Sequence, residues 1–154
     1  MTLATFNDLD REQAVEALLS CCTAPEWAGR VADARPFPSI EKLLDTAEAA
    51  LAPADLDAAL CGHPRIGDRA ASGRSAAEQG GVGDHVLDAL VQANRAYEDR
   101  FGRVYLVCAA GRSGEELLAD LTARLDHDDE TERRTALREL AAINRLRLAK
   151  LVGA

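Results

Sequence analysis

Aromatic residues are scarce in this chain of 154 residues. Phe, Trp and Tyr make up only 4% of it, although 47% of its residues are hydrophobic. The core must therefore consist mainly of Ala, Leu and Val, a composition that favours helices over sheets. A chain near 150 residues buries about 70% of its unfolded surface, so we expect one domain over residues 1–154.

Basic residues are outnumbered, with 18 Lys and Arg against 26 Asp and Glu and a formal net charge of −8. Binding to a phosphate backbone depends on Lys and Arg, so this balance argues against a nucleic-acid partner. The sequence has no apolar run of membrane-spanning length, and its first residues do not combine a basic region with an apolar stretch. We therefore expect no membrane association and a cytoplasmic location.

Spacings that are typical of metal sites are absent from the sequence. The three histidines form no His-x-x-x-His pair, and the four cysteines form no Cys-x-x-Cys pair. We therefore expect no metal ion and disfavour a metal-dependent hydrolase. The cysteines, which should be reduced and mostly buried, are Cys21, Cys22, Cys61 and Cys108.

Sequence signals for the start of a helix recur along most of the chain. A capping residue or a proline precedes apolar residues of helical period at Asp10, Pro25, Ser39, Pro53 and Ser113. A further helix is predicted over Asp84–Phe101, and the last helix is predicted to run to about residue 151. The apolar run 104–110 favours an extended, buried segment, and the charged residues 126–132 favour a solvated link and the start of the last helix.

The stretch from residue 62 to residue 83 differs, because six glycines punctuate it and few of its residues are apolar. Irregular connections of this length tend to carry function. Within it, Pro64 restricts the backbone of His63, and a histidine held in this way is suited to proton transfer near neutral pH. The alternative is an ordinary loop dipeptide after the end of a helix.

A second polar cluster, Ser75-Ala76-Ala77-Glu78-Gln79, follows in the same stretch. Ser75 and Glu78 have the spacing of a capping box. Glu78 therefore either completes the first turn of a short helix or serves a functional site.

Arg147 occupies an unexpected position in the last helix. Residues 140, 143, 147 and 151 recur at helical spacing, so the arginine falls on a stripe otherwise made of Leu and Ile. Its guanidinium must either extend to solvent or find a buried acceptor. If it points into an apolar pocket, it is suited to clamp a carboxylate substrate.

In order and spacing, these features resemble the family of 2-oxo-4-hydroxy-4-carboxy-5-ureidoimidazoline (OHCU) decarboxylases over nearly the whole chain. The resemblance rests on Phe6-Asn7, Trp27, Arg35-Pro36-Phe37, His63-Pro64-Arg65-Ile66-Gly67, Ser75-x-x-Glu78-Gln79, Asn94-x-x-Tyr97, Arg100-Phe101-Gly102 and Ile143-x-x-Leu146-Arg147-Leu148. One motif departs from the pattern. Many relatives continue Phe-Gly-Phe-Pro-Phe, where this chain has Phe101-Gly102-Arg103-Val104-Tyr105.

The resemblance implies an all-α, single-domain helical bundle of the OHCU decarboxylase type that forms a homodimer and uses no cofactor. The implied reaction converts OHCU to (S)-allantoin and CO2, the last step from urate to allantoin. His63 is the implied proton donor, with Glu78 and Arg147 as further catalytic residues. The implied substrate-binding residues are Pro64, Ser75, Ala76, Ala77, Gln79, Tyr105, Leu106, Val107, Cys108 and Ala109.

A rival interpretation is a helical protein that binds small molecules or partners on the same scaffold without the chemistry. Such a protein would have no reason to combine His63, Glu78 and Arg147. The sequence therefore favours the decarboxylase.

Overall fold

A computed structural model describes residues 1–61 and 84–153 of the chain. The described residues form helices and contain no strand, which confirms the prediction of an all-α fold. The helices are α1 (Leu3–Asp8), α2 (Arg11–Leu19), α3 (Pro25–Asp33), α4 (Ile40–Ala50), α5 (Asp55–Leu60), α6 (Asp84–Phe101), α7 (Gly114–Arg124) and α8 (Asp129–Gly153).

These residues divide into two compact units. The first unit comprises residues 1–61 together with residues 140–153, and the second comprises residues 84–139. The beginning of α8 therefore belongs to the second unit and its remainder to the first.

Local capping explains where several helices begin. Asp10 and Gln13 form a reciprocal capping box before α2, with distances of 2.8 and 3.3 Å. Ser39 accepts a hydrogen bond from the Lys42 amide at 3.1 Å, and Ser113 accepts one from the Glu116 amide at the same distance. A side-chain acceptor satisfies an N–H that the first helical turn leaves unpaired. These three predicted starts are confirmed.

Two starts differ from the prediction. α5 begins at Asp55 rather than Pro53, because the Asp55 carboxylate accepts from the Ala52 amide at 2.7 Å and closes a turn before the helix. The short helix α1 was not predicted, although Thr2 caps it by accepting from the Thr5 amide. Six residues are too few for a helical period to be recognised.

Trp27 of α3 lies at the centre of the first unit. Its ring is fully buried, and its indole Nε1 donates to the Ala47 carbonyl of α4 at 2.9 Å. Asn7 fixes the chain before α4, because its side chain donates to the Phe37 carbonyl at 3.0 Å and accepts from the Phe37 amide at 2.9 Å. Motifs far apart in sequence thus hold one another in place.

Aromatic rings form the centre of the second unit. The Tyr97 ring of α6 lies 4.8 Å from the Phe101 ring and 5.4 Å from the Tyr105 ring, with the latter pair edge to face. α6 ends where Gly102 adopts a φ of 72°, a conformation that favours glycine. The buried core of this unit consists of Val86, Leu90, Tyr97, Tyr105, Val107, Ala109, Leu117 and Leu121.

Candidate functional site

The predicted site residues differ in where they lie. His63 and Pro64, and the cluster Ser75, Ala76, Ala77, Glu78 and Gln79, lie outside the described residues. Residues 105–109 belong to the second unit, and Arg147 belongs to the first.

Residues 104–109 form a segment without regular secondary structure between α6 and α7. Tyr105, Leu106, Val107 and Ala109 are buried, and Cys108 is half-buried. Residues 105, 107 and 109 pack into the core of the second unit. This alternation is typical of an extended chain. The predicted burial of the run 104–110 is confirmed at residues 105–107 and 109, whereas Ala110 is exposed and lies in a turn.

Arg124, at the end of α7, holds this segment. Its Nη1 donates to the Leu106 carbonyl at 2.7 Å, and its guanidinium lies 4.7 Å from the centre of the Tyr105 ring. The side chain is only 2% exposed. A buried cation is therefore in contact with two successive residues of the predicted substrate-binding segment.

Glu132 of α8 neutralises Arg124 in the interior. One of its oxygens, Oε1, accepts from Arg124 Nε at 2.8 Å and from Arg124 Nη2. The same oxygen accepts from the Tyr97 hydroxyl at 2.6 Å, while Oε2 lies 3.0 Å from His127 Nδ1. Glu132 is fully buried, so the prediction that residues 126–132 are all solvated was wrong at this position.

The hydrogen bonds and the charge of Glu132 stabilise the charged form of the buried Arg124. Burial alone lowers the pKa of Arg124, but the hydrogen bond and charge of Glu132 outweigh it, and this pKa lies above its ordinary value. Burial also raises the pKa of the Tyr97 hydroxyl, and the hydrogen bond to Glu132 raises it further. Tyr97 therefore remains a proton donor to the carboxylate at neutral pH.

Tyr105 is fixed at its hydroxyl as well as at its ring. The hydroxyl donates to Asp120 Oδ2, a carboxylate one turn before Arg124 on α7. Burial raises the pKa of Tyr105, and the bond to Asp120 raises it further, so the phenol stays protonated. Arg112 lies 3.8 Å from the other Asp120 oxygen and binds Glu139 at 3.0 Å.

Arg147 of α8 lies inside the first unit. It is 7% exposed, and its Nη1 donates to the Cys21 carbonyl at 3.3 Å. Leu140 and Ile143 of the predicted stripe are buried as well. Of the two outcomes predicted for this arginine, the structure excludes extension into solvent and places the head group in the interior.

A second polar side chain, Asn144, shares the buried part of α8. It is 4% exposed, and neither atom of its amide has a hydrogen-bond partner within the described part of the chain. Burial raises the pKa of the nearby Cys22 thiol, and an interaction with the Asn144 amide opposes that rise. Cys22 therefore stays protonated at neutral pH.

The cysteines are free thiols, as expected, but they are not mostly buried. Cys21 and Cys22 are buried, Cys108 is half-buried and Cys61 is exposed. Among residues 1–61 and 84–153, no group of three or more His, Cys, Asp or Glu side chains is arranged to hold a metal ion. No helix in this part of the chain is long and apolar enough to cross a membrane.

Comparison with known proteins identifies the family. The family model described as OHCU decarboxylase matches residues 7–149. The chain belongs to the OHCU decarboxylase family. The departure from the family pattern at Arg103 is accommodated in this fold, because the Arg103 guanidinium lies 5.7 Å from the centre of the Phe101 ring and is largely buried.

Individual relatives agree with this assignment. The chain is 28% identical to a Haloferax volcanii protein named 2-oxo-4-hydroxy-4-carboxy-5-ureidoimidazoline decarboxylase, over 97% of this chain and 95% of that protein. It is 30% identical to the Bacillus subtilis uric acid degradation bifunctional protein PucL, over 98% of this chain but only 33% of PucL. A crystal structure of OHCU decarboxylase in the presence of (S)-allantoin matches with a TM-score of 0.79 and 26% identity, over 88% of this chain and 96% of that one.

Proposed function

We propose that this chain is an OHCU decarboxylase, which removes CO2 from OHCU and yields (S)-allantoin in the last step of urate degradation. The match of the family model over residues 7–149 carries this proposal. Residues 1–154 would act as one catalytic domain in the cytoplasm, and two chains would form a homodimer.

The substrate itself explains why no cofactor is needed. The carbon that bears the carboxylate is bonded to an imine carbon, so the electron pair of the breaking C–C bond moves into the C=N group as CO2 leaves. A cofactor that serves as an electron sink is therefore unnecessary. What the protein must supply is orientation, placement of charge and protonation on one face.

Roles follow residue by residue from the family resemblance. His63, next to Pro64, delivers the proton that completes (S)-allantoin. Glu78 and Gln79 bind the ring or the ureido group, and residues 105–109 line the substrate site.

Arg147 positions the anionic substrate. Its burial supports this role, because a guanidinium in the interior is desolvated and binds a carboxylate more strongly than one in water.

The test supplies the substrate by oxidising urate in situ and follows optically active allantoin by circular dichroism. We expect stereospecific product with the wild type and none with His63→Asn, at an unchanged melting temperature. His85→Asn, the same change at an exposed histidine of α6, is the matched control and should remain fully active. Binding of (S)-allantoin without turnover would refute the decarboxylase and favour the rival binding protein.

A further inference from the structure

The peptide bond between Leu106 and Val107 has an unusual arrangement of partners. Its carbonyl accepts a charge-assisted hydrogen bond from Arg124 Nη1 at 2.7 Å. The peptide is trans and planar, so its N–H points in the opposite direction from its carbonyl. The Val107 amide donates to no partner within the described residues. Arg124 thus fixes the direction of a donor that the described protein leaves unused.

Stability alone gives little reason for this arrangement. A buried ion pair is often no more stabilising than apolar residues of the same volume, because both charges lose their hydration. Arg124 and Glu132 are both almost fully buried. The pair has a clearer effect on the geometry of the segment. The Arg124 guanidinium binds Glu132 and also contacts the Leu106 carbonyl and the Tyr105 ring.

The charge of Arg124 also affects the strength of the donor. Hydrogen bonds in a chain polarise one another, and the effect is larger in an interior of low dielectric. A guanidinium that binds the Leu106 carbonyl withdraws electron density from that peptide and makes the Val107 N–H a stronger donor.

We propose that Arg124, held by Glu132, is a positioning residue for the decarboxylation: it orients and strengthens the Val107 N–H as a hydrogen-bond donor to an oxygen of the bound substrate. This inference rests on the proposed function. Arg124 does not itself touch the substrate and acts through the peptide.

The test removes both charges together, because removal of one leaves the other buried and uncompensated. The double variant Arg124→Met/Glu132→Gln keeps an acceptor for the Tyr97 hydroxyl. Arg124→Lys is the conservative variant, which retains the charge and one donor. Leu18→Ala is the control for loss of stability, since Leu18 is fully buried and belongs to the first unit, whereas Arg124 and Glu132 belong to the second.

For the double variant we expect kcat per folded molecule to fall about 10- to 100-fold, with KM changed less than about threefold, because the donor acts on charge that develops in the transition state. Arg124→Lys should recover part of the loss, and Leu18→Ala should keep kcat within about twofold. If the double variant lowers only the fraction of folded protein and leaves kcat per folded molecule intact, the Arg124–Glu132 pair is purely structural and the proposal is overturned.

Replacement of the Val107 amide by an ester probes the donor directly. In the wild type the ester should lower kcat by a similar factor, while in the double variant it should add little, because the two changes remove one interaction. Equal losses in both backgrounds, or no loss in the wild type, would overturn the proposal.

A final measurement does not depend on turnover. The Val107 amide proton is followed by NMR during titration with (S)-allantoin, and we expect a downfield shift in the wild type that is much smaller in the double variant. No shift in the wild type, or equal shifts in both, refutes the inference. An inactive wild type instead refutes the proposed function, and the titration still decides whether Arg124 prepares the donor.

Discussion

Replacement of Arg147 by lysine should cost catalytic efficiency without loss of the fold. The substitution keeps a positive charge but removes the planar pair of donors that can hold a carboxylate. The side chain is 7% exposed and its Nη1 is anchored on the Cys21 carbonyl, so its head group lies in a desolvated environment. Loss of one charge-assisted hydrogen bond there is worth about 1.5–3 kcal/mol. Efficiency should therefore fall roughly 10- to 150-fold.

Arg145 provides a matched control on the same helix. It lies two residues earlier, its side chain is 36% exposed, and it pairs with the acidic residues Glu41, Asp45 and Glu48 of α4. Exposed ion pairs contribute at most about 1 kcal/mol, and lysine retains the charge. Arg145→Lys should change efficiency less than about twofold.

Arg147→Met separates binding from stability. Replacement of a buried charge by an apolar side chain of similar length is often neutral or stabilising. We therefore expect the melting temperature to stay the same or rise, while efficiency falls further than in Arg147→Lys.

Circular-dichroism assays of allantoin formation and thermal melts of the three variants check these expectations together. Near-normal efficiency in Arg147→Lys, or equal losses in Arg145→Lys and Arg147→Lys, would contradict a role for Arg147 in substrate binding. A large fall in melting temperature for Arg147→Met would indicate that Arg147 stabilises the fold instead of binding the substrate.

Further expectations concern the chemistry, the thiols and the assembly. Exhaustive chelation with EDTA should leave turnover unchanged, because the substrate is its own electron sink; a loss that a divalent metal restores would contradict this mechanism. Iodoacetamide at pH 8 should alkylate the exposed Cys61 first and Cys22 last, because a raised pKa leaves less thiolate at a given pH; mass spectrometry that finds the reverse order would refute the burial of Cys22. Light scattering at micromolar concentration should give twice the 16.5 kDa of one chain, and a monomer mass would rule out the proposed homodimer.

The sequence predicted those features of the fold that depend on a few neighbouring residues. Asp10, Ser39 and Ser113 cap helices because each side chain reaches an amide three residues away, so the signal and its partner lie side by side in sequence. Gly102 ends α6 through its own backbone conformation. The start of α5 was predicted less well, because the side chain of Asp55 closes a turn that the sequence pattern assigned to the helix.

Features that depend on long-range pairing were predicted only in part. Glu132 lies in a strongly charged run and was expected to be solvated, but it is buried and pairs with Arg124 in the interior. The signal for Arg124 was present, since it follows Leu117 and Leu121 at helical spacing, as Arg147 follows Leu140 and Ile143. The same criterion that marked Arg147 would have marked Arg124. The criterion identifies a buried arginine, but it does not identify the acceptor, which comes from another helix.

The two contacts that hold residues 105 and 106 explain how a helical unit keeps an extended segment in place. In a sheet, a ladder of backbone hydrogen bonds to a neighbouring strand would fix such a segment. No strand lies within residues 84–153, and the Arg124 guanidinium and the Asp120 carboxylate of α7 take over this function at the Leu106 carbonyl and the Tyr105 hydroxyl. Side chains that bind one edge of a segment can leave its other edge unpaired. A strand inside a sheet differs, because both of its edges are paired. This arrangement leaves the Val107 N–H without a partner among the described residues, which is what the proposed role of Arg124 requires.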